Sequence, residues 1–200
     1  GALFKVGLFS LLENLEQALA GHRPRRAWVR ALSRRAAVAL ILQQQEQQTH
    51  VLMIQRAQRL GDPWSGQMAF PGGHMEPGDR HGKDAAARET DEEIGLPVDD
   101  RVSCIGRLSD IWARPKLPRP MIVTPYVFRL DYSPELVPNY EVADTVWIPL
   151  DFFRDPANRE RMQWLHRGVN IDLPCYHYQG YRVWGLSLMM LDELVKITAE

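Results

Sequence analysis

Gly72-Gly-His-Met-Glu-Pro-Gly-Asp-Arg-His-Gly-Lys-Asp-Ala-Ala-Ala-Arg-Glu-Thr-Asp-Glu-Glu-Ile-Gly-Leu96 is the stretch on which the fold turns. Its second half, residues 84–94, reads as a helix: Ala85, Ala86 and Ala87 favour that conformation, and Gly95 followed by Pro97 stops it. Glu89, Glu92 and Glu93 then stand at i, i+3 and i+4, so their carboxylates project from one face within a few ångströms of one another. Three like charges that close repel unless a divalent cation sits among them, and oxygen donors alone suit a hard ion such as Mg²⁺ better than zinc. The same helix could instead present a solvated acidic face with Arg88 as its counter-charge. The first half favours the cation, because Gly72 and Gly73 allow a tight backbone path whose carbonyls and amides approach an ion or a phosphate directly.

Working outward, residues 36–42 and 51–55 are apolar, partly β-branched runs that predict two strands, with the polar tract 43–50 as the loop between them. Gly61, Asp62, Pro63, Ser65 and Gly66 mark a loop around Trp64, and residues 67–70 form a short strand leading into Pro71. Further strands are expected at 102–107, 121–130 and 145–148, and a last helix at 186–197. Strands interleaved with helices predict a layered α/β domain over residues 36–200. Ahead of it, residues 8–20 carry apolar side chains at three- and four-residue spacing, an amphipathic helix ending near Gly21. The basic run Arg23, Arg25, Arg26, Arg30, Arg34 and Arg35 follows, so residues 1–35 read as an N-terminal helical, basic arm whose cations are either solvated or turned to an anionic partner.

Composition narrows the function classes. The chain has 200 residues, 45% of them hydrophobic, enough for one cored domain, and a formal net charge of -1 that gives no global pull toward nucleic acid or membrane. The basic run matches no nucleic-acid recognition motif. Cys104 and Cys175 are far apart in sequence, with no second Cys or His at metal-ligand spacing, so neither a disulfide framework nor a zinc site is expected; buried thiols in a reducing, cytoplasmic setting are. The apolar start, residues 2–12, is broken by Lys5, Gly7 and Ser10, too short for a span and unframed as a signal peptide.

The spacing Gly73-x5-Asp79-x8-Arg88-Glu89-x2-Glu92-Glu93-x-Gly95-Leu96 resembles the Nudix box, whose usual form has Glu at the second fixed position and seven residues before the Arg. With each of the fixed positions occurring at roughly one in fifteen, a chance match at a given start is on the order of 10⁻⁸. Asp79 and the eight-residue gap are features of a coenzyme A-hydrolysing group within that family. The pieces Arg56-Ala-Gln-Arg-Leu60 and Gly66-Gln-Met-Ala-Phe-Pro-Gly-Gly73 also resemble that group's signature. Departures are Ala57 in place of a serine, a 61–65 segment one residue longer, and Gly61 and Pro63 at the basic and histidine positions. Thr124 to Phe128 and residues 178–191 resemble its C-terminal half, so the resemblance covers about residues 36 to 195.

What the resemblance implies is a Nudix-type α/β/α sandwich with a mixed sheet and a hydrolase dependent on Mg²⁺ or Mn²⁺. Glu89, Glu92 and Glu93, with the Gly72 carbonyl, would hold the metal, and Arg88 would orient Glu89. Glu89 is the first choice for general base and Glu141 the second. Arg56, Trp64, Gly73, His74, Arg114 and Lys116 are the candidate substrate-binding positions, with Arg119 in the same loop; on the residues alone, Trp64 could instead anchor its loop to the core and the cations Arg114, Lys116 and Arg119 could serve only solubility, while His81 is expected to be exposed. The expected substrate is a small nucleotide, coenzyme A or a derivative, cut at its pyrophosphate to 3′,5′-ADP and 4′-phosphopantetheine. The alternatives are another substrate (ADP-ribose, a nucleotide sugar, an oxidised nucleotide) or a nucleotide sensor without turnover. No nucleic acid or membrane partner is expected, and a homodimer is left open.

Overall fold

The computed structural model describes residues 10–113 and 119–199. Its centre is β1 (Arg34–Gln45), which pairs in parallel with β7 (Met121–Leu130) over ten register positions and antiparallel with β2 (Gln48–Arg56). Both faces of β1 are covered, which is why its sequence is a nearly unbroken apolar run rather than an alternating one. Ala37, Ala39 and Ile41 point to one side, where Ala85, Ala86 and Ile94 of α2 (Gly82–Ile94) pack. Ala36, Leu40 and Leu42 point to the other, against Leu12, Leu15 and Leu19 of α1 (Leu11–Gly21) and Leu188, Leu191 and Leu194 of α4 (Gly185–Ile197). The result is a three-layer α/β/α sandwich, the expected class.

The remaining sheet members are β3 (Met68–Ala69), β4 (Gly72–His74), β5 (Val102–Arg107), β6 (Ile111–Trp112) and β8 (Val142–Pro149). One detail of pairing places the site. β1 and β2 stay in register only from Leu42↔Val51 to Gln45↔Gln48 and then part. Past that point β4 pairs with β1 at residues 36–38 and β3 pairs with β2 at residues 54–55, so the chain 68–74 bridges the divergence. A cleft opens where the sheet splits.

Two sequence expectations need correcting here. Residues 43–50 are not a loop: both strands run through the glutamines to a two-residue turn with Glu46 at φ 53°, because Gln43 and Thr49 are buried and hydrogen-bonded while still extending the ladder. The chain from 159 to 184, whose sequence predicts no strand, forms a second sheet of β9 (Arg159–His166), β10 (Val169–Tyr178) and β11 (Tyr181–Trp184), reached from β8 through the short α3 (Leu150–Arg154). Its turns are Arg167-Gly168 and Gln179-Gly180, both residues of each at positive φ, the geometry whose twist matches paired strands. Those two X-Gly pairs, flanked by alternating polar and apolar residues, were the available signal.

Candidate active site

α2 begins after His81, which is exposed and whose backbone N–H is capped by Asp84 at 2.8 Å, and it ends on Gly95 in the left-handed region at φ 65°. That frame aims its acidic face at β4. Glu93 is 4% exposed, and the Gly72 N–H donates to its Oε2 at 3.1 Å. Glu89 packs so tightly over Gly73 that a Cβ there would lie 2.4 Å from Oε1, and a Cβ on Gly72 would lie 2.3 Å from the Ala37 carbonyl oxygen. The glycine pair is therefore demanded by close approach: strand β1 on one side of the turn, carboxylates on the other.

Arg88 ties the turn to the helix. Its Nη2 donates to Asp79 Oδ2 at 3.1 Å and to the His74 carbonyl at 3.0 Å, while Nη1 donates to Glu89 Oε1 at 3.0 Å. Asp79 also accepts from the Glu76 N–H at 2.8 Å, closing the 76–79 loop. The Arg88 hydrogen bond, then that from Glu76, holds the Asp79 carboxyl below its ordinary range. The Asp at this place thus does the bracing that a fork-shaped guanidinium needs.

Electrostatically the cluster is strained when bare. Burial, and then the charge of Glu89, pushes Glu93 up to about 8 despite the Gly72 hydrogen bond. Burial likewise raises Glu89, against the pull of Arg88 and with a push from Glu92 and Glu141. Hard oxygen donors that resist ionising next to one another, around a turn too tight for a side chain, fit a divalent cation: its charge would offset both the desolvation and the repulsion.

The cluster forms one wall of a cavity of roughly 760 Å³. Gly72, Gly73, His74, Glu89, Glu92, Glu93, Arg56 and Trp64 all line it, and so does Glu141, brought there by the chain entering β8. Arg56 Nη2 pairs with Asp62 at 2.8 Å, and Asp62 accepts from the Trp64 N–H at 3.0 Å, which fixes the glycine-flanked loop. Arg56 Nε is buried with no hydrogen-bond partner among the described residues. Arg114 and Lys116 lie outside the described residues, and Arg119 is exposed. Of the basic run, Arg23, Arg25 and Arg26 are exposed, whereas Arg30 is paired with Asp110 at 2.8 Å.

Apolar lining of the same cavity, which no local sequence pattern marks, comes from Trp164 and Leu173 of the second sheet and from Trp184, Leu186 and Met189 where β11 enters α4. Cys104 proves exposed rather than buried; Cys175 is buried. Cys175 also has a histidine within reach, because strand alternation places His177 on its own face. No helix among the described residues is long and apolar enough to cross a membrane.

Comparison with known proteins agrees with this geometry. An uncharacterized protein of Schizosaccharomyces pombe is 32% identical over 153 residues, covering 65% of this chain and 46% of its own length, so the chain spans less than half of that relative. The mitochondrial coenzyme A diphosphatase of Mus musculus is 30% identical over 151 residues, 74% of this chain and 70% of the relative. The crystal structure of a MutT/nudix family protein from Enterococcus faecalis superposes with a TM-score of 0.54 at 18% identity, over 96% of this chain and 69% of the other, and so shares the fold. The NUDIX domain model matches residues 32–168, from the first turn before β1 to the tip of the β9–β10 hairpin, and the chain belongs to the Nudix hydrolase family.

Proposed function

We propose that the chain is a Mg²⁺- or Mn²⁺-dependent pyrophosphatase that hydrolyses coenzyme A or a derivative to 3′,5′-ADP and 4′-phosphopantetheine. The observation that carries this reading is that one cavity has two kinds of wall: the carboxylates Glu89, Glu92, Glu93 and Glu141, and the apolar Trp164, Leu173, Leu186 and Met189. A pyrophosphate needs the first wall, and a long, mostly uncharged arm leaving that pyrophosphate suits the second. The name of the 30%-identical mouse relative supports the same substrate.

Glu89, Glu92, Glu93 and the Gly72 carbonyl would hold the metal, which supplies charge neutralisation of the diphosphate and a binding place for the attacking water. The chain's own residues do the rest. Arg88 fixes Glu89 Oε1, leaving the other oxygen of that carboxylate to orient a water and take its proton. Glu141, which lines the same cavity, would be the second candidate for that role. Water oxygen joins one phosphorus, the bridging P–O bond breaks, and the proton held by the carboxylate passes to solvent. Arg56, whose Nε has no hydrogen-bond partner among the described residues, would donate to a phosphate oxygen, and Trp64 would offer its ring to the adenine.

The test is product analysis by mass spectrometry after incubating the protein and Mg²⁺ with coenzyme A, ADP-ribose, dinucleoside polyphosphates and nucleoside triphosphates. Cleavage of coenzyme A to the two named products is expected. Survival of coenzyme A while another compound is consumed at the same enzyme concentration would refute the substrate and leave the hydrolase. No turnover of any of them would favour a sensor.

A further inference from the structure

The second sheet carries a group of side chains that the cavity does not use. In the β9–β10 ladder Cys175 stands directly opposite Glu160, and His177 lies two residues further along β10. Directly opposed residues share a face, as do i and i+2 on one strand, so all three side chains emerge on the same side of the hairpin. One ligand atom from each lies within 4.8 Å of the other two. His177 Nδ1 and Glu160 Oε2 are 2.9 Å apart. That contact is a hydrogen bond; two ligands each about 2.0 to 2.1 Å from a tetrahedral ion are separated by about 3.3 Å, so the pair would open by a few tenths of an ångström and exchange its hydrogen bond for the ion.

We propose that Glu160, Cys175 and His177 form a second metal site that binds a zinc-class transition ion through sulfur, nitrogen and oxygen. The donor set separates it chemically from the carboxylate cluster: a thiolate and an imidazole select zinc, cobalt or copper, whereas oxygen-only ligands select magnesium. Three protein ligands leave the fourth tetrahedral position for water. The ligands sit on two hydrogen-bonded strands, which hold them in place without a loop to order. Cys175 is fully buried, and its thiol, raised by burial, would lose its proton to solvent as the ion binds. Arg182, opposite His177, is the cation on the same face, while Arg161 is turned to the other face and paired with Asp172 at 2.6 Å.

The site has a structural consequence of its own. Glu160, Met162 and Trp164 alternate along one face of β9, and Trp184 pairs opposite Cys175, so the ion would clamp the base of the sheet whose outer part forms the apolar wall of the cavity. Two of the three ligands lie beyond residue 168, where the match to the family domain ends. The inference does not depend on which substrate the cavity takes.

The experiment uses the full chain carrying Cys104→Ser, which removes the exposed thiol, with Mg²⁺ in excess to occupy the carboxylate cluster. Co²⁺ is the probe, followed by its visible d–d bands and near-ultraviolet thiolate charge-transfer band. One bound equivalent with both features is expected, bleached by Zn²⁺. His177→Ala alters an exposed side chain, so its fold is checked by circular dichroism and its Co²⁺ affinity should drop on the order of 100-fold; Cys175→Ser should lose the charge-transfer band. Zn²⁺ should raise the thermal midpoint of the Cys104→Ser protein and leave that of a folded His177→Ala protein unchanged. Absence of the charge-transfer band, or its survival at equal affinity in His177→Ala, would show a surface ion pair only and overturn the proposal.

Discussion

Glu93→Gln in metal-free protein gives the sharpest test of the electrostatics at the cluster. Burial and the neighbouring Glu89 charge lift the Glu93 carboxyl from 4.5 to about 8, so the folded state holds that proton more tightly than the unfolded chain does. A group raised in this way contributes stability that is fully present below its unfolded pKa and lost as pH rises through the folded one. At about 1.4 kcal/mol per pH unit, stability in chelator should fall by on the order of 3 to 4 kcal/mol between pH 5 and pH 8 from this residue alone. For a chain this size that is on the order of 10 °C in thermal midpoint. Asp79 and Asp110, whose pKa values are lowered, release their protons below this window and leave the slope untouched. Gln keeps an oxygen to accept the Gly72 N–H and carries no charge, so the variant should stay folded, lose the share of the slope that Glu93 carries while the raised Glu89 keeps its own, and exceed the wild type in stability at pH 8. The assay is urea unfolding followed by fluorescence at pH 5, 6, 7 and 8 in EDTA, repeated with Mg²⁺, which should flatten the wild-type slope. An equal slope in both proteins, or a variant that is unfolded by circular dichroism at pH 8, would refute the reasoning.

Hydrolysis should cease in excess EDTA and return on adding Mg²⁺ or Mn²⁺, measured by phosphate-product release; full turnover in chelator would remove the metal from the mechanism. Gly72→Ala should cost about 3 kcal/mol or more in urea unfolding, since its Cβ would meet the Ala37 carbonyl oxygen at 2.3 Å and the Val38 Cα at 2.6 Å, backbone atoms of β1 that cannot swing aside. Arg88→Lys keeps the charge but loses the fork that reaches Asp79, Glu89 and the His74 carbonyl together, so kcat should drop on the order of 100-fold with a smaller change in KM. Gly95→Ala should destabilise by about 1 kcal/mol, because the residue ends α2 at positive φ and a Cβ would stand 3.2 Å from Val137 Cβ.

The sequence exposed some parts of this molecule and concealed others for physical reasons. Helix α2 was legible because alanines, the three glutamates and Gly95 speak through local propensity and spacing. The buried strands β1 and β7 were legible because coverage on both faces makes a strand uniformly apolar. The glutamines at 43–45 hid the ends of β1 and β2, since polarity there is satisfied by side-chain hydrogen bonds rather than by solvent in a loop. The hairpin β9–β10 was hidden by exposure: Arg159, Glu160, Arg161 and Gln163 read as surface chain, and only the turn geometry at Arg167-Gly168 marked it. The apolar cavity wall went unseen with it. The pairing of Cys175 with Glu160 depends on register, which no spacing within one segment reveals.

The split between the two sheets bears on how such an enzyme could change its substrate. Carboxylates and glycine turn are anchored to β1 and α2, whereas Trp164, Leu173 and Trp184 belong to a separate three-stranded ladder with no strand in common. Altering the length or side chains of the β9–β10 hairpin therefore leaves the backbone hydrogen bonds beneath the glutamates as they are. In the proposed function, bond cleavage and substrate selection would therefore fall on different ladders, and a library confined to residues 159–173 would reshape what enters the cavity while leaving the strand pairing beneath the glutamates in place.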